Sequence, residues 1–387
     1  MTRFQDERPR VLFAGGGTGG HIYPNVAVLE ALQAMGRGCR PHFMVSDRKV
    51  DASVMAEEGL EYSTSGARPL GLDPRRWLGF ARGWRRAERQ AAELIRTMGA
   101  QAAVVSGGFV SGPVVTVAKR MGVPVAVVNL DAVPGKANRW LARRASRVFS
   151  VYPHPLLPDA EPIGYPLRTL AKEPWACWDA RGEVREAARA ELGLQPGRRT
   201  LLVCGGSQGA GTINEAMPLA LAQPATLEAL RGWQVLHLSG AGHDHAVRAD
   251  YRKAGLEEKL SVLVLPYLRR IGLAWASAEL AVSRSGAGSV AECWHHAVPT
   301  LFMPYPHHRD QHQRWNAAPL EALGGARIVG DSKEKLANAA ALGPVLAALA
   351  HDADQRSQMA NALERTRPRD GATAVARWLA EAIGSRP

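Results

Sequence analysis

Short apolar runs along the chain alternate with stretches in which apolar residues recur every three or four positions. The first pattern is typical of buried β-strands, and the second is typical of amphipathic helices. In the first half of the chain the apolar runs are residues 11–14, 42–45, 102–106, 125–129 and 147–151, and helical patterns lie between them at 25–35, 76–98, 113–121 and 136–145. This alternation predicts a parallel sheet covered by helices on both faces.

The same plan restarts after a break near the middle of the chain. Residues 152–166 contain five prolines, and residues 177–199 are polar and rich in Arg and Glu, which indicates a hinge and a connecting segment. Strand-like runs resume at residues 200–204, 234–238, 261–265, 280–283 and 299–303. We therefore predict two doubly wound α/β domains, residues 1–163 and 200–350, joined by a hinge segment at 164–199. Residues 351–387 are predicted to be helical, and the pattern does not say which domain they pack on.

The first predicted strand ends in the glycine-rich run GGGTGGHIYP, and a helical pattern follows it. Loop amides and a helix start favour an anion there, and His21 would stand beside it, so we expect a phosphate-bearing ligand. Two alternatives stay open. Gly15, Gly17 and Gly20 also fit the dinucleotide fingerprint, with Asp47 after the next strand. The second alternative is a tight turn in an α/β fold that binds nothing.

Three segments of the second predicted domain carry further polar groups. GGSQGAG, residues 205–211, offers amides and the Ser207 hydroxyl to a phosphate. In SRSGAGSVAECWHH, Glu292 falls in the early turns of a helix, where it either accepts hydrogen bonds from a ribose diol or caps the helix. FMPYPHHRDQHQRWNA carries side chains suited to the hydroxyls and amide of a sugar: Asp310, Gln311, His312, Gln313 and Asn316. The spacing of His307, His308 and His312 is tolerable for a metal, but proline-flanked neighbours rarely converge, so no metal site is predicted.

The net charge, the lengths of the apolar runs and the number of cysteines narrow the class of protein. The net charge of +12 favours an anionic partner, but no recognised nucleic-acid module appears, so nucleic acid is not expected. No apolar run is long enough to cross a bilayer, and the polar N-terminus lacks a signal sequence. The four cysteines are scattered without metal or redox spacing, which indicates a reduced cytosolic protein.

Part of the positive charge is concentrated in residues 71–96. Residues 68–89 contain seven arginines and two acidic residues, which gives a net charge of +5. The arginines flank Trp77, Leu78, Phe80 and Trp84. Arginine for anionic head groups and tryptophan for the interface is the pattern of a peripheral membrane helix. The alternative is an ordinary amphipathic helix with a solvated basic face.

Five motifs occur in one order along residues 11–323: GGGTGGHIYP, SGGFVSGP, CGGSQGA, SRSGAGSVAE and DQHQRWNA. Together they resemble the MurG family of peptidoglycan glycosyltransferases. The resemblance implies a GT-B fold, two Rossmann-like domains facing a central cleft, with the acceptor in the first and UDP-N-acetylglucosamine mainly in the second. It implies inverting transfer of N-acetylglucosamine to the 4-hydroxyl of the muramoyl sugar of undecaprenyl-linked lipid I, which forms lipid II. It also implies a peripheral protein on the cytoplasmic face of an anionic membrane.

The resemblance assigns roles to individual residues. His21 is the candidate base, since a neutral imidazole suits that role near pH 7. Donor-binding residues are Arg168, Ser207, Gln208, Gly209, Leu268, Glu292, His312 and Gln313. Acceptor-binding residues are Thr18, Gly19, Gly20, Gly107, Gly108, Ser111 and, at a departure from the family, Asp131. No cofactor or metal is required, and Mg²⁺ is expected at most to stimulate the reaction.

The chain departs from the family pattern at two places. Where the family has His-Glu-Gln-Asn, residues 128–131 are Val-Asn-Leu-Asp, so Asp131 brings a charge near the cleft. The family's paired glutamines are His312 and Gln313 here, and Arg314 replaces an aromatic residue. Two alternatives therefore stay open: a GT-B enzyme that uses a UDP-sugar on another glycolipid, or a nucleotide-sugar epimerase. The basic and aromatic helix favours a transferase.

Overall fold

The structure is a computed structural model of the 387-residue chain, and it describes residues 8–17, 19–68, 77–174, 181–206, 208–307 and 310–384. The side chain of Trp77 lies outside this description, as do Thr18 and Ser207. The chain divides into two compact units. The first comprises Met1–Arg168 and Arg369–Pro387, and the second comprises Thr169–Pro368.

The first unit is built on a parallel sheet of seven strands. They are β1 (Arg10–Ala14), β2 (Arg40–Val45), β3 (Tyr62–Thr64), β4 (Ala102–Val105), β5 (Val125–Asn129), β6 (Arg147–Ser150) and β7 (Glu161–Pro162). Their order is β3-β2-β1-β4-β5-β6-β7. The helices that follow in sequence are α1 (Tyr23–Ala34), α2 (Lys49–Glu58), α3 (Trp77–Met98), α4 (Ser111–Arg120) and α5 (Lys136–Ala142). All strand pairs are parallel, so the loops after the strands meet at one edge.

Alternate residues of β1 pack on opposite faces of the first sheet. Leu12 and Ala14 join a buried cluster with residues of α3 and α4, and the Phe13 ring stacks on Phe43 with centroids 5.0 Å apart. Helix α1 begins with Pro24 in its first turn, where a missing N–H costs no helical hydrogen bond. Burial on both faces explains why β1 is apolar at four consecutive positions.

The second unit repeats the plan with six parallel strands. They are β8 (Arg199–Cys204), β9 (Trp233–Leu238), β10 (Ser261–Leu265), β11 (Leu280–Ser283), β12 (Thr300–Phe302) and β13 (Ala326–Ile328), in the order β10-β9-β8-β11-β12-β13. Its helices are α6 (Thr169–Lys172), α7 (Arg181–Leu192), α8 (Gly211–Leu221), α9 (Pro224–Ala229), α10 (Asp244–Lys253), α11 (Ile271–Ser277), α12 (Ala287–His296), α13 (His312–Ala322), α14 (Lys335–His351) and α15 (Ala353–Arg365).

The last helix, α16 (Gly371–Gly384), returns to the first unit. It packs against α1, and Gly371 approaches the chain so closely that a Cβ there would lie 1.7 Å from the carbonyl oxygen of Gly164. The chain enters the second unit after Arg168, within the segment predicted as a hinge. The C-terminal helices therefore divide between the two units: α15 belongs to the second and α16 to the first.

The predicted fold of two doubly wound parallel sheets is confirmed. All ten predicted strands form, with ends within two residues of the prediction. The sequence pattern does not predict β3, β7 and β13, which have three residues or fewer. It also does not predict α2, whose buried residues within Lys49–Glu58 include the acid Asp51. Elements this short or irregular carry no clear hydrophobic period.

Among the described residues, no single helix has both the length and the apolar character needed to span a membrane. The pair α14 and α15 meets the criteria of length and composition only when joined, and it is bent by 94°. Leu342, Leu346 and Met359 of this pair lie in the buried core of the second unit.

Candidate functional site

The glycine loop after β1 packs tightly against its own chain and against the start of α2. A Cβ at Gly15 would lie 2.2 Å from the carbonyl oxygen of His21, and one at Gly16 would lie 2.6 Å from Oδ2 of Asp51. Gly17 has φ of +100°, which side chains disfavour. These glycines are therefore needed to fold the loop, whatever it binds.

Two residues of the β2–α2 region hold Gly17 from both sides. Its amide donates to Oδ2 of buried Asp51 at 2.7 Å, and its carbonyl accepts from Nη1 of Arg48 at 2.7 Å. The same Asp51 oxygen accepts from the amide of Ser46 at 3.1 Å. The sequence pattern does not mark Arg48 or Asp51, and it indicates Asp47 instead. Asp47 is exposed and forms an ion pair with Arg68 at 2.8 Å.

His21 ends a short 3₁₀ helix, Gly19–His21, directly before α1. Its carbonyl oxygen lies 2.9 Å from Oγ of Ser106, which is also 2.8 Å from Oδ1 of Asn25. The Asn25 amide in turn donates to the carbonyl of Ala14 at 3.1 Å. The backbone of His21 is thus anchored to the ends of β1 and β4, and its half-buried side chain stands at the strand edge.

The loop after β4 meets the first glycine loop. A Cβ at Gly108 would lie 2.9 Å from the carbonyl oxygen of Gly16, and one at Gly107 would lie 2.7 Å from Oδ1 of Asn138. Ser111 is fully buried, and its hydroxyl donates to the carbonyl of Gly107. The structure therefore brings the described acceptor residues Gly19, Gly20, Gly107, Gly108 and Ser111 to one edge, but the hydroxyl of Ser111 is engaged within the protein.

Asp131 follows β5 at the same edge. The side chain of Asn129 donates to the Asp131 carbonyl at 2.8 Å, and its Oδ1 accepts from Nδ2 of Asn138 at 3.0 Å. Burial, with the charge of Asp131 as a smaller cause, raises the pKa of Tyr152. Asn129 thus links Asp131 to the loop of Gly107.

In the second unit, the glycine loops after β8 and β9 pack backbone against backbone. A Cβ at Gly209 would lie 2.0 Å from the carbonyl oxygen of Ser239, and one at Gly240 would lie 2.5 Å from Cα of Gly209. Gln208 is exposed at the tip of the first loop. Leu268 is half-buried in the segment after β10.

A buried ion pair supports the start of α8, which follows the β8 loop. Nη1 of Arg284 lies 2.8 Å from Oδ2 of Asp331, and Nη2 donates to Oγ1 of Thr212 at 2.7 Å. Burial alone would raise the pKa of Asp331, but hydrogen bonds from Thr212 and Asn338 outweigh it and lower that pKa. Arg284 stands within the SRSGAGSVAE motif, but the local sequence indicates no role for it, and no sequence pattern marks Asp331.

Glu292 lies in the sixth position of α12, which has no acidic residue in its first turn. The alternative that Glu292 caps the helix is therefore wrong. Its Oε2 accepts from Nε1 of the buried Trp275 at 2.9 Å, which fixes the carboxylate at the side of the helix.

The segment before α13 is folded by the polar residues predicted to contact a sugar. Nδ1 of His312 lies 2.9 Å from Oδ1 of Asp310, and Oε1 of Gln313 accepts from the amide of Tyr305 at 2.9 Å. His308 lies outside the described residues. Within the described part of the chain, no three His, Cys, Asp or Glu residues are grouped as a metal site would require.

Arg168 lies with the first unit. Its Nη1 is 2.6 Å from Oε1 of Glu58, and its guanidinium stacks over the ring of Tyr23 at 3.9 Å. The side chain is buried, so these described contacts hold it against α1 and α2. The prediction that it faces the donor diphosphate gains no support from these contacts.

The four predicted membrane residues differ in exposure. Leu78 is 72% exposed, whereas Phe80 and Trp84 are half-buried and pack together with ring centroids 5.7 Å apart. Trp84 also packs edge-on against Trp140 at 5.8 Å and fills the space beside Gly112 of α4. Phe80, Trp84 and Trp140 thus form an aromatic cluster, whereas Leu78 is exposed.

Comparison with protein families matches both halves of the chain. Residues 11–150 match the glycosyltransferase family 28 N-terminal domain, and residues 200–375 match the family 28 C-terminal domain. The UDP-N-acetylglucosamine–N-acetylmuramyl-(pentapeptide) pyrophosphoryl-undecaprenol N-acetylglucosamine transferase of Clavibacter sepedonicus is 35% identical over 385 residues, which cover 97% of each chain. The protein of the same name from Sorangium cellulosum is 34% identical and covers 96% of this chain and 88% of its own.

Two solved structures share the fold. Acinetobacter baumannii MurG superposes with a TM-score of 0.71 at 23% identity, covering 97% of this chain and 99% of its own. UDP-GlcNAc 2-epimerase from Neisseria meningitidis, solved with UDP-GlcNAc, superposes with a TM-score of 0.63 at 12% identity, covering 97% of this chain and 100% of its own. Two enzymes with different names thus have this architecture, so the fold by itself does not select the reaction.

Proposed function

Because the chain belongs to glycosyltransferase family 28 and, within it, to the N-acetylmuramyl-(pentapeptide) pyrophosphoryl-undecaprenol N-acetylglucosamine transferases, we propose that it makes lipid II. The 4-hydroxyl of the muramoyl sugar of undecaprenyl-linked lipid I attacks the anomeric carbon of UDP-N-acetylglucosamine. UDP leaves, and the configuration at that carbon inverts. The observation that carries this proposal is the 35% identity to a named transferase over almost the whole chain.

The acceptor is assigned to the loops after β1 and β4. His21 takes the proton of the attacking hydroxyl, because a neutral imidazole is an effective base near pH 7. The Ser106 hydroxyl donates to the carbonyl oxygen of His21, so the backbone from which the imidazole ring extends is held at the strand edge. The amides of Gly19 and Gly20 and the glycine turn at Gly107 and Gly108 are assigned to the acceptor diphosphate.

The donor is assigned to the loop after β8. Amides of residues 205–209 and the N-terminus of α8 stabilise the negative charge that develops on the leaving UDP. Glu292 holds the ribose hydroxyls, and His312 and Gln313 contact the sugar. Positive potential from the backbone serves the leaving group here, so no metal or other cofactor is required.

The acceptor carries a polyprenyl chain, and we propose that α3 brings the protein to the cytoplasmic face of an anionic membrane. Leu78 projects from the first turns of α3, and Arg85 and Arg89 are exposed along the same helix. Each basic residue near such a surface contributes about 1 kcal/mol to binding.

The test is UDP release from UDP-N-acetylglucosamine with and without a short-chain lipid I analogue. Acceptor-dependent release, with a disaccharide product found by mass spectrometry, is expected. Release without transfer, or conversion of the donor to its 2-epimer, contradicts the proposal. Transfer only to a different glycolipid would contradict the proposed acceptor and leave the proposed donor, UDP-N-acetylglucosamine, unchanged.

A further inference from the structure

A pocket of about 300 Å³ opens in the first unit between the segment that follows β3 and helix α3. Strand ends contribute Thr64, Ser65 and Arg68, and one side of α3 contributes Arg82 and Arg86. None of these residues belongs to the acceptor or donor assignments above.

Close packing builds the wall between α3 and the segment after β3. A Cβ at Gly83 would lie 2.9 Å from the carbonyl oxygen of Gly66, so the helix touches the backbone there. The Gly66 amide donates to Oε1 of Gln90 at 2.9 Å, and Cδ of Arg86 lies 3.0 Å from the Cβ position of Gly66. The stem of Arg86 is thus packed in place, and the residue lines the pocket.

The pocket has an excess of positive charge. Among its described lining residues, Asp47 is the one acid, and it lies 2.8 Å from Arg68. No acidic side chain in the described ranges forms an ion pair with Arg82 or Arg86. These two arginines are four positions apart on α3, a spacing at which like charges destabilise a helix. Guanidinium groups with neighbouring hydroxyls match a carboxylate or a phosphate.

The distance between this pocket and the His21 loop favours the carboxylate of a peptide as the ligand. Asp47 precedes Arg48, whose side chain holds Gly17 of the His21 loop. Since β3 is two strands from β1 and strands are about 4.8 Å apart, the pocket begins about 10 Å from that loop. An extended pentapeptide spans up to about 17 Å. A peptide that starts at the reacting sugar can therefore place its terminal carboxylate here.

We propose that this pocket binds the carboxylate end of the acceptor's pentapeptide, through Arg82 and Arg86. The proposal rests on the function proposed above, since it assigns a subsite to that acceptor. It makes the first unit selective for an acidic peptide as well as for the glycan and diphosphate.

The test replaces Arg82 and Arg86 by glutamine, singly and together, because glutamine keeps the packed stem and removes the charge. Two soluble short-chain acceptors are compared in the absence of vesicles, one with free peptide carboxylates and one with those carboxylates amidated. The control is Arg96→Gln, an exposed arginine of α3 that does not line the pocket.

The double variant should raise KM for the free-carboxylate acceptor by about tenfold or more, the loss expected for charge-assisted hydrogen bonds. With the amidated acceptor the change should stay below about twofold, and kcat and the KM for UDP-N-acetylglucosamine should not move. An equal loss with both acceptors, an equal loss in Arg96→Gln, or no loss would overturn the proposal. A loss confined to binding of anionic vesicles would reassign the pocket to a lipid headgroup and overturn it too.

Wild-type turnover in the same assay separates the two proposals. If the wild-type protein transfers sugar to neither acceptor, the proposed function fails. The proposed role of the pocket is then tested by calorimetric titration of the free-carboxylate analogue into the wild-type and double-variant proteins. Equal affinities of the two proteins would refute that role.

Discussion

The amide nitrogen of Gly17 lies 2.7 Å from Oδ2 of Asp51, and this hydrogen bond ties the loop of His21 to helix α2. The carboxylate is fully buried, so its charge is compensated locally by donors of the protein. The geometry makes the position of His21 depend on a residue that contacts no substrate in the proposed mechanism.

Asp51→Asn is expected to lower the free energy of unfolding by about 2 kcal/mol. The neutral amide oxygen accepts more weakly than the charged Oδ2, and the buried amide NH2 takes the place of Oδ1, which has no hydrogen-bond partner among the described residues. The KM for the acceptor should rise while the KM for UDP-N-acetylglucosamine stays unchanged, since the donor loops belong to the second unit. Urea denaturation and steady-state kinetics measure both effects. The control is Ser53→Ala on the exposed side of α2. An Asp51→Asn protein with wild-type stability and KM would disprove the role.

His21→Ala is expected to reduce kcat by at least about a hundredfold, because the attacking hydroxyl loses its base. UDP affinity should stay within about twofold, since His21 lies in the first unit. Single-turnover assays and titration with UDP measure the two quantities. Near-normal turnover in this variant would remove His21 as the base. Ser106→Ala, which frees the His21 carbonyl, should give a smaller loss of kcat.

Glu292→Gln is expected to weaken UDP binding much more than it weakens binding of a ribose-free uracil analogue, because the ribose hydroxyls lose a carboxylate. Glutamine can still accept from Nε1 of Trp275, so stability should be preserved. Glu292→Ala leaves that buried donor without an acceptor and should lower the free energy of unfolding by a further 1 to about 3 kcal/mol. Isothermal titration and thermal unfolding test this pair. Equal losses for UDP and the uracil analogue would contradict a ribose role.

The fold was predictable because buried parallel strands are continuous apolar runs, and each is followed by a helical pattern or a glycine loop. The glycine loops were also found, since their composition is visible in one short segment. Asp51 and Asp331 were not found. Each is an ordinary acid in a helix or loop, and its partner, Gly17 or Arg284, lies more than thirty residues away. Nothing in local sequence marks such a contact.

Trp84 shows that one residue can carry two signals. The sequence predicts that it contacts a membrane, and the structure packs its half-buried ring on α4. Residues 84, 87, 91 and 95 follow helical spacing, and Ala87, Ala91 and Ile95 are buried. The period therefore places Trp84 at the inner side of α3, so its packing role was predictable from its position as well as its membrane role from its aromatic character.

Leu78→Asp is expected to weaken binding to anionic vesicles, because it places a negative charge on the most exposed apolar side chain described on α3. Stability should change little at such an exposed site. Trp84→Ala should instead lower the melting temperature, since it removes a ring packed on α4 and Trp140. Co-sedimentation and thermal unfolding distinguish the two variants. If Leu78→Asp binds vesicles as the wild type does, α3 is not the membrane contact.

Acid should destabilise the second unit through His237. The ring is fully buried in β9, with Nδ1 3.0 Å from the Tyr251 hydroxyl and Nε2 3.0 Å from Oδ1 of Asn214. Burial lowers the pKa of His237 to about 3. Between this value and the ordinary value of 6.5, the unfolded chain binds a proton that the folded protein does not. The protonation of His237 therefore has no effect on the free energy of unfolding above pH 6.5. Below that pH it lowers the free energy of unfolding, by up to about 1.4 kcal/mol per pH unit.

Urea unfolding between pH 7.5 and 4.5 measures this slope. His237→Gln should be less stable than the wild type at pH 7.5, because a packed ring and its hydrogen bonds are lost, but its stability should fall less steeply below pH 6.5. Burial also lowers the pKa of His296 to about 3, so part of the slope should remain in this variant. The control is His245→Gln, whose side chain is 93% exposed in the wild type and should leave the slope unchanged. A His237→Gln protein with the full wild-type slope would show that this ring is protonated in the folded state, against the geometry that Tyr251 and Asn214 impose.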